Sequence, residues 1–413
     1  MKAAFLTAIF AVSVSFFNSA DAASWMHYDQ DNSPLPSNYV STILSDDEGT
    51  WVGTDNGLAF FDGSDWFIYD SETSELPDNN IRDIHKDNTG KIWVATDKGL
   101  LEISTDGWQT HSTSNSNIPS DYIRSVASDS EGNIWIGTWG NGIAAKNGNN
   151  WTVYNTDNSD LPSDGVFTVE IDELGVIWVG TFNGGVSKFN GLGWTTYNTS
   201  NSELPHNHVR SINFDQNHIA WFGTEDGVVR KTPGGHWDVY NAENIGYSFH
   251  TIYGGVIESA GKLYFATDGG ILKFNGSDFS MVTSQNSSLP SNNVRSLALD
   301  LNGNLWVGSG NDGLSIYNPQ GTLGVKEPLK TAESLTAYPN PTSNELTFLL
   351  PNKSSGNSEI TVVNGTGQTV LTKQISNGGL SQHILDVSSL STGTYFISVY
   401  SSTGISQGRF VKL

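Results

Sequence analysis

The stretch WTVYNTDNSDLPSDGVFTVEIDELGVIWVGTFNGGVSKFNGLG, residues Trp151–Gly193, decides the fold. It breaks into short apolar runs separated by turn residues. Val166–Asp172 is apolar and β-branched and predicts a first strand, A. Asp172–Gly175 (DELG) then turns, with Asp first and Gly fourth as a type I turn prefers. Ile177–Thr181 predicts strand B, FNGG (Phe182–Gly185) a tip, and Val186–Phe189 strand C. NGLG turns again, and Trp194–Tyr197 predicts strand D. The Asn-Ser-x-Leu-Pro-Ser connector (Asn158–Ser163) keeps its proline outside the ladder, where a residue without an N–H belongs.

The same grammar recurs along the chain. Trp25, Trp66, Trp108, Trp151, Trp194, Trp237 and Phe279 open successive units at spacings of 41, 42, 43, 43, 43 and 42 residues. Four short antiparallel strands per ~42 residues is the sequence signature of a propeller blade. Seven units fill residues 25–321, and no capping repeat of the kind a solenoid needs is visible. The expected fold class is all-β: a seven-bladed β-propeller of four-stranded blades. The first unit begins with a lone D-type strand, Trp25–Asp29, and the last ends after a C-type strand, Leu314–Tyr317. The N-terminal strand is therefore expected to close blade 7 and remove an open edge.

The 13 Trp divide along the same lines. Six lie on strand B (Trp51, Trp93, Trp135, Trp178, Trp221, Trp306), with Tyr264 in blade 6, and six open strand D. The strand-B set is expected to fill the space between blades. Burial of ~200 Å² per Trp at ~25 cal/mol/Å² is worth up to about 5 kcal/mol each before entropy. Trp139 alone belongs to neither position.

Composition bounds the rest. The 413-residue chain has no Cys, which excludes disulfides, thiolate metal sites and a thiol nucleophile. Its net charge is −23. In residues 335–413, Lys353, Lys373, Arg409 and Lys412 outweigh Glu345, Glu359 and Asp386 by one, so the acidic body 24–321 holds −24. Such acidity excludes a nucleic-acid partner. Met1-Lys2, an apolar run Ala3–Phe17 and the A-x-A site Ala20-Asp21-Ala22 read as a secretory signal peptide over residues 1–22. The run is too short to span a bilayer, and no other stretch could. The expected division is signal peptide 1–22, propeller 23–321, linker 322–334 and a small domain 335–413.

The unit LPSNxVxxIxxDxxGxIWVGTxxGLxxFxG, seen in blade 3 as IPSDYIRSVASDSEGNIWIGTWGNGI (Ile118–Ile143), resembles the two-component regulator propeller repeat. In that family such propellers often form periplasmic sensor regions of histidine kinases that detect saccharides. No kinase or receiver domain follows this one.

Residues 335–413 resemble the type A C-terminal sorting domain of the type IX (Por) secretion system. The resemblance rests on Tyr338-Pro339-Asn340-Pro341 with Leu346, the Gly365–Val370 turn, Leu390–Tyr395 (LSTGTY) and the ending Arg409–Leu413. Alternating runs at Glu359–Val363, Thr369–Lys373 and Tyr395–Tyr400 read as strands of a small Ig-like β-sandwich. The resemblance implies an outer-membrane translocon as partner, removal of the tail, release or anchoring at the cell surface, and a host among the Bacteroidota.

Connectivity places the B–C tips, the D–A connectors and the start of strand A on one rim, where propellers commonly bind ligands. Two residues into strand A the blades present Ser41, Arg82, Arg124, Phe167, Arg210, Tyr253 and Arg295, so four of six Arg share one repeat position. A ring of guanidiniums suits carboxylate, sulfate or sugar hydroxyls, unless each Arg pairs with an acid or stacks on a neighbouring ring. Most tips are acidic. Blades 3 and 4 instead offer Trp139 and Phe182, aromatics suited to stacking on a sugar ring. The candidate ligand-binding residues are therefore Arg82, Arg124, Trp139, Phe167, Phe182, Arg210, Tyr253 and Arg295.

Other signals are weaker. In the degenerate blade 6, His250, Tyr253 and Glu258 offer an acid–base pair. His206 and His208 at i, i+2 on a connector are not read as metal ligands. Turns such as Asp129–Gly132 look like calcium loops but lack the alternating D-x-D-x-D-G order, so no cofactor is assigned and calcium stays open. The leading functional expectation is a secreted or cell-surface, non-catalytic propeller that binds a glycan or other extracellular ligand. The alternatives are a propeller enzyme, such as a polysaccharide or streptogramin-type lyase, and an adhesive or protein-interaction surface protein. No complete catalytic constellation is visible.

Overall fold

A computed structural model of the protein describes residues 25–258, 261–318, 333–349, 356–364, 368–377, 382–401 and 404–413. The expected leader, 1–22, and the expected linker up to residue 332 lie outside them. The chain forms two compact units that divide after Leu323.

The first unit is the seven-bladed propeller. Seven four-stranded sheets follow one another, each antiparallel and each wound in chain order apart from the last. The inner strands are Val40–Ser45, Ile81–Lys86, Ile123–Ser128, Val166–Ile171, Val209–Phe214, Ile252–Ile257 and Val294–Leu299. Blade 7 is completed from the other end of the chain: Trp25–Tyr28 pairs with Leu314–Tyr317 in the register Trp25↔Tyr317 to Tyr28↔Leu314. The expected closure is present, and Trp25 stacks on Tyr317 with ring centroids 4.6 Å apart.

The strand-B aromatics are the blade-to-blade core, as the repeat predicts. Trp51 packs with Ile81, Ile84 and Ile92 of blade 2, and Trp306 packs with Val40 and Ile43 of blade 1. The glycine two residues after this Trp, replaced by Ala95 in blade 2, permits that approach. A Cβ on Gly137 would stand 2.5 Å from Val166 of the next blade, and one on Gly308 2.6 Å from Val40. The turn Asp has a second duty. In blade 3, Asp129 accepts from the Glu131 and Asn133 amides, the Asn133 side chain and, at 3.2 Å, Trp135 Nε1. Both carboxylate oxygens are thus committed to the hairpin and its Trp. Asp87, Asp172, Asp215 and Asp300 bond their own Trp in the same way.

Blade 6 departs from the repeat through a short helix, Ala242–Ile245, closed by an Asn241/Asn244 capping box. Phe249, 2% exposed, takes over the buried place that Leu or Ile holds in the other connectors.

Among the described residues the second unit is a two-sheet β-sandwich, with five strands in one sheet and three in the other. Leu346, Phe348 and Leu385 of the smaller sheet meet Ile360, Val362, Ile397 and Phe410 of the larger. The two ends of the motif pair here. Asn340 accepts from the Val411 amide at 2.8 Å and donates to the Arg409 carbonyl at 3.0 Å. Tyr395 donates to the Ser391 carbonyl at 2.9 Å, which fixes the LSTGTY corner.

Candidate functional site

The position-two residues of all seven inner strands line one cavity of about 350 Å³ at the channel mouth. Bulges at this point of each inner strand, such as Ile123/Ser125, turn these side chains toward the channel. Ser41, Arg82, Arg124, Phe167, Arg210, Tyr253 and Arg295 therefore meet as the repeat alignment expects.

The four arginines are not equivalent. Arg82 forms a two-bond pair with Asp97, 2.7 Å on each side, and also donates to the Tyr122 hydroxyl at 2.8 Å. Arg210 grips Glu225 with Nε and a terminal nitrogen. In both blades the acid stands 15 residues after the Arg, at the first position of the B–C tip. In blade 3 that position is Trp139, and in blade 7 it is Gly310. Among the described residues Arg124 and Arg295 have no ion pair, and the Nε of each is buried without a hydrogen-bond partner. Arg295 instead covers the Tyr253 ring at 4.0 Å. Arg124 sits between two rings, 5.4 Å from the Trp139 centroid and 5.7 Å from that of Phe167. Burial, then the positive charge of Arg82, pushes its pKa below the usual guanidinium value, partly offset by Tyr122.

An aromatic platform covers Arg124. Trp139 and Phe182, 41% and 40% exposed, are the large aromatics left open on the propeller among the described residues. They stand edge to face at 5.1 Å, and Phe167 lies beneath both, 5.7 Å from Trp139 and 5.6 Å from Phe182. His208 extends the surface, stacked on Phe182 at 4.4 Å. Trp139 bridges to Gly165 of the next blade, so its tip is fixed to its neighbour. The site combines open ring faces with a guanidinium that, among the described residues, no carboxylate pairs directly. Such a site can stack on an apolar sugar face and bind an acidic or hydroxyl group below it.

Deeper in the channel lie two carboxyl groups that the sequence reading did not single out. Asp83 accepts from the Val126 amide at 2.9 Å across the blade boundary. Burial nonetheless raises its pKa to about 6, opposed by that bond and by Arg124. Burial and the charge of Asp83 push Glu170 up to about 8. Each is the one acid at its repeat position, so no pattern marked it.

The acid–base pair that the blade 6 residues offered does not form, in keeping with a worn repeat. His250 precedes the inner strand, where its ring is mostly exposed and 3.7 Å from Asp268. Glu258 follows the strand's far end and accepts from Tyr264 at 3.3 Å. Six extended residues, roughly 20 Å, separate the two. Tyr253 faces the channel under Arg295.

Comparison with known proteins agrees with this architecture. The family model described as two component regulator propeller matches residues 34–56, 75–98, 117–140 and 288–311. That described as secretion system C-terminal sorting domain matches residues 336–412. The chain thus carries two component regulator propeller repeats followed by a C-terminal sorting domain. The matched repeats fall in blades 1, 2, 3 and 7; blades 4, 5 and 6, outside the match, carry Phe167, the His206/His208 connector and Tyr253. A search of curated proteins found no match.

Among solved structures the chain is similar to PorZ of Porphyromonas gingivalis, described as an essential bacterial surface component of the type-IX secretion system. The identity is 18% over 94% of this chain and 60% of that one, with a TM-score of 0.57. The extracellular domain of BT4673 from B. thetaiotaomicron gives 17% identity over 91% and 57%, TM-score 0.58. Virginiamycin B lyase from Staphylococcus aureus gives 12% over 68% and 94%, TM-score 0.55. These likenesses are of fold. The chain spans only 60% and 57% of the length of the first two. Among the described residues no helix is long and apolar enough to cross a membrane.

Proposed function

We propose that the protein is exported by the type IX secretion system and acts at the cell surface or beyond it as a non-catalytic glycan-binding propeller. The sorting domain at residues 336–412 supports the export route. The single observation behind the binding role is the Arg124 site: a cation in no direct ion pair, beneath the open ring of Trp139, with the open ring of Phe182 beside it. A pyranose ring stacks on the platform, and its carboxylate, sulfate or hydroxyl group reaches Arg124. Phe167 and Arg210 support the platform from below, the guanidinium 4.4 Å from the ring centroid. Tyr253 and Arg295 offer a second contact across the channel, and Arg82 contributes through Tyr122.

Binding of the full chain to a glycan array that includes uronic and sulfated sugars tests this reading. At least one acidic glycan is expected to bind. An array without any binder overturns the proposal.

A further inference from the structure

Blade 5 holds a side-chain cluster of which the glycan reading uses only the His208 ring face. His206 and His208 lie on its connector, and Glu225 opens its B–C tip. One donor atom from each lies within 4.8 Å of the others, and all three residues are half-buried. His208 Nδ1 is 2.7 Å from Glu225 Oε2. The two imidazoles stand edge to face with centroids 4.6 Å apart.

The surroundings hold this set in place. Arg210 binds the other carboxylate oxygen, Oε1, and so orients Oε2 toward His208. The His208 ring is stacked on Phe182 at 4.4 Å. The His208 amide donates to His206 Nδ1 at 3.1 Å.

We propose that His206, His208 and Glu225 bind one divalent transition-metal ion of the Zn²⁺ class. Two imidazoles and a carboxylate form a donor set that suits borderline metals. Ca²⁺ and Mg²⁺ take oxygen ligands, and this cluster offers one carboxylate. Donors bonded to one ion at about 2.0–2.1 Å stand roughly 3 Å apart, which the His208–Glu225 pair already nearly matches. Arg210 is an outer partner that orients the carboxylate. On loading, the ion takes the place of the Nδ1 proton between His208 and Glu225: a neutral His208 ring changes tautomer and carries its proton on Nε2, and a doubly protonated ring releases one proton to solvent. Three protein donors leave a coordination position for water or a ligand oxygen at the edge of the aromatic platform. The site stands whether or not the platform binds a glycan.

Calorimetric titration of the chelator-treated full chain with ZnCl₂, alongside CaCl₂ and MgCl₂, tests the proposal. Saturable binding of one Zn²⁺ per chain is expected, with none for the other two ions. His206→Ala and His208→Ala are each expected to weaken Zn²⁺ binding at least about tenfold. His206→Ala leaves the Arg210–Glu225 pair intact, so its effect reads ligation and not folding, with a melting curve as the check. Absence of saturable Zn²⁺ binding, or an affinity in folded His206→Ala within about threefold of the unaltered chain, overturns the proposal.

Discussion

The Arg124 guanidinium lies 5.4 Å from the centroid of the Trp139 ring, at the repeat position where Asp97 holds Arg82 through two bonds of 2.7 Å. One offset along the repeat therefore decides whether an inner-strand cation is neutralised or left open. Blades 2 and 5 place an acid there, and blade 3 places an exposed aromatic. The two arrangements respond differently to mutation.

Asp97→Ala leaves Arg82, whose side chain is 20% exposed, without its carboxylate. It also removes the acceptor of the Asn80 side chain. Loss of charged hydrogen bonds at a mostly buried site costs about 2 kcal/mol, so the melting temperature falls by several degrees. Arg124→Ala removes a buried cation that makes no direct ion pair, and the melting temperature stays within about 2 °C or rises. Scanning calorimetry of both variants checks the contrast, and an equal loss in the two contradicts it.

Removing residues 24–30 deletes the outer strand of blade 7 and reopens the ring. Trp25–Tyr28 supplies that strand's pairing to Leu314–Tyr317. Several kcal/mol should be lost, with a drop in melting temperature on the order of 10 °C or more. A truncated chain that melts with the intact one contradicts closure as the source of stability.

Glu170 gives the propeller a pH-dependent weakness. Burial and Asp83 raise its pKa from an ordinary value near 4.5 to about 8 in the folded protein. Between these values the folded state holds a proton that the unfolded state has lost, so stability falls as pH rises through that window. Below it the group costs nothing, and above it the cost is constant. In Glu170→Gln this component is absent. The variant's advantage in melting temperature should grow from pH 5 to pH 8 and then level off. An advantage independent of pH contradicts the assignment.

Much of the fold is legible in the sequence because each blade repeats the same hairpin spacing. The strand-B Trp marks the sheet interior, and the unpaired strands at Trp25 and Leu314 mark the closure. Strand A of blade 4 stops at Ile171, one residue short of its apolar pattern, because Asp172 turns to cap Leu174 and Val176. The site is legible only in part. The repeat brings the arginines to one mouth, but which of them meet an acid depends on the B–C tip geometry. His250 and Glu258 look like neighbours in the sequence, yet an extended strand carries them apart. Glu225 joins His206 and His208 only once the hairpin folds back.

The Trp139→Asp variant tests the central claim most directly, with its affinity for the best glycan from the array measured by calorimetry. The substitution gives blade 3 the acid that blade 2 already has, so Arg124 gains a partner and the platform loses its ring. Affinity should fall at least about 100-fold, while the melting temperature holds or rises by a few degrees. A folded Trp139→Asp protein that binds the glycan within about twofold of the unaltered chain would contradict the Arg124 site as the seat of recognition.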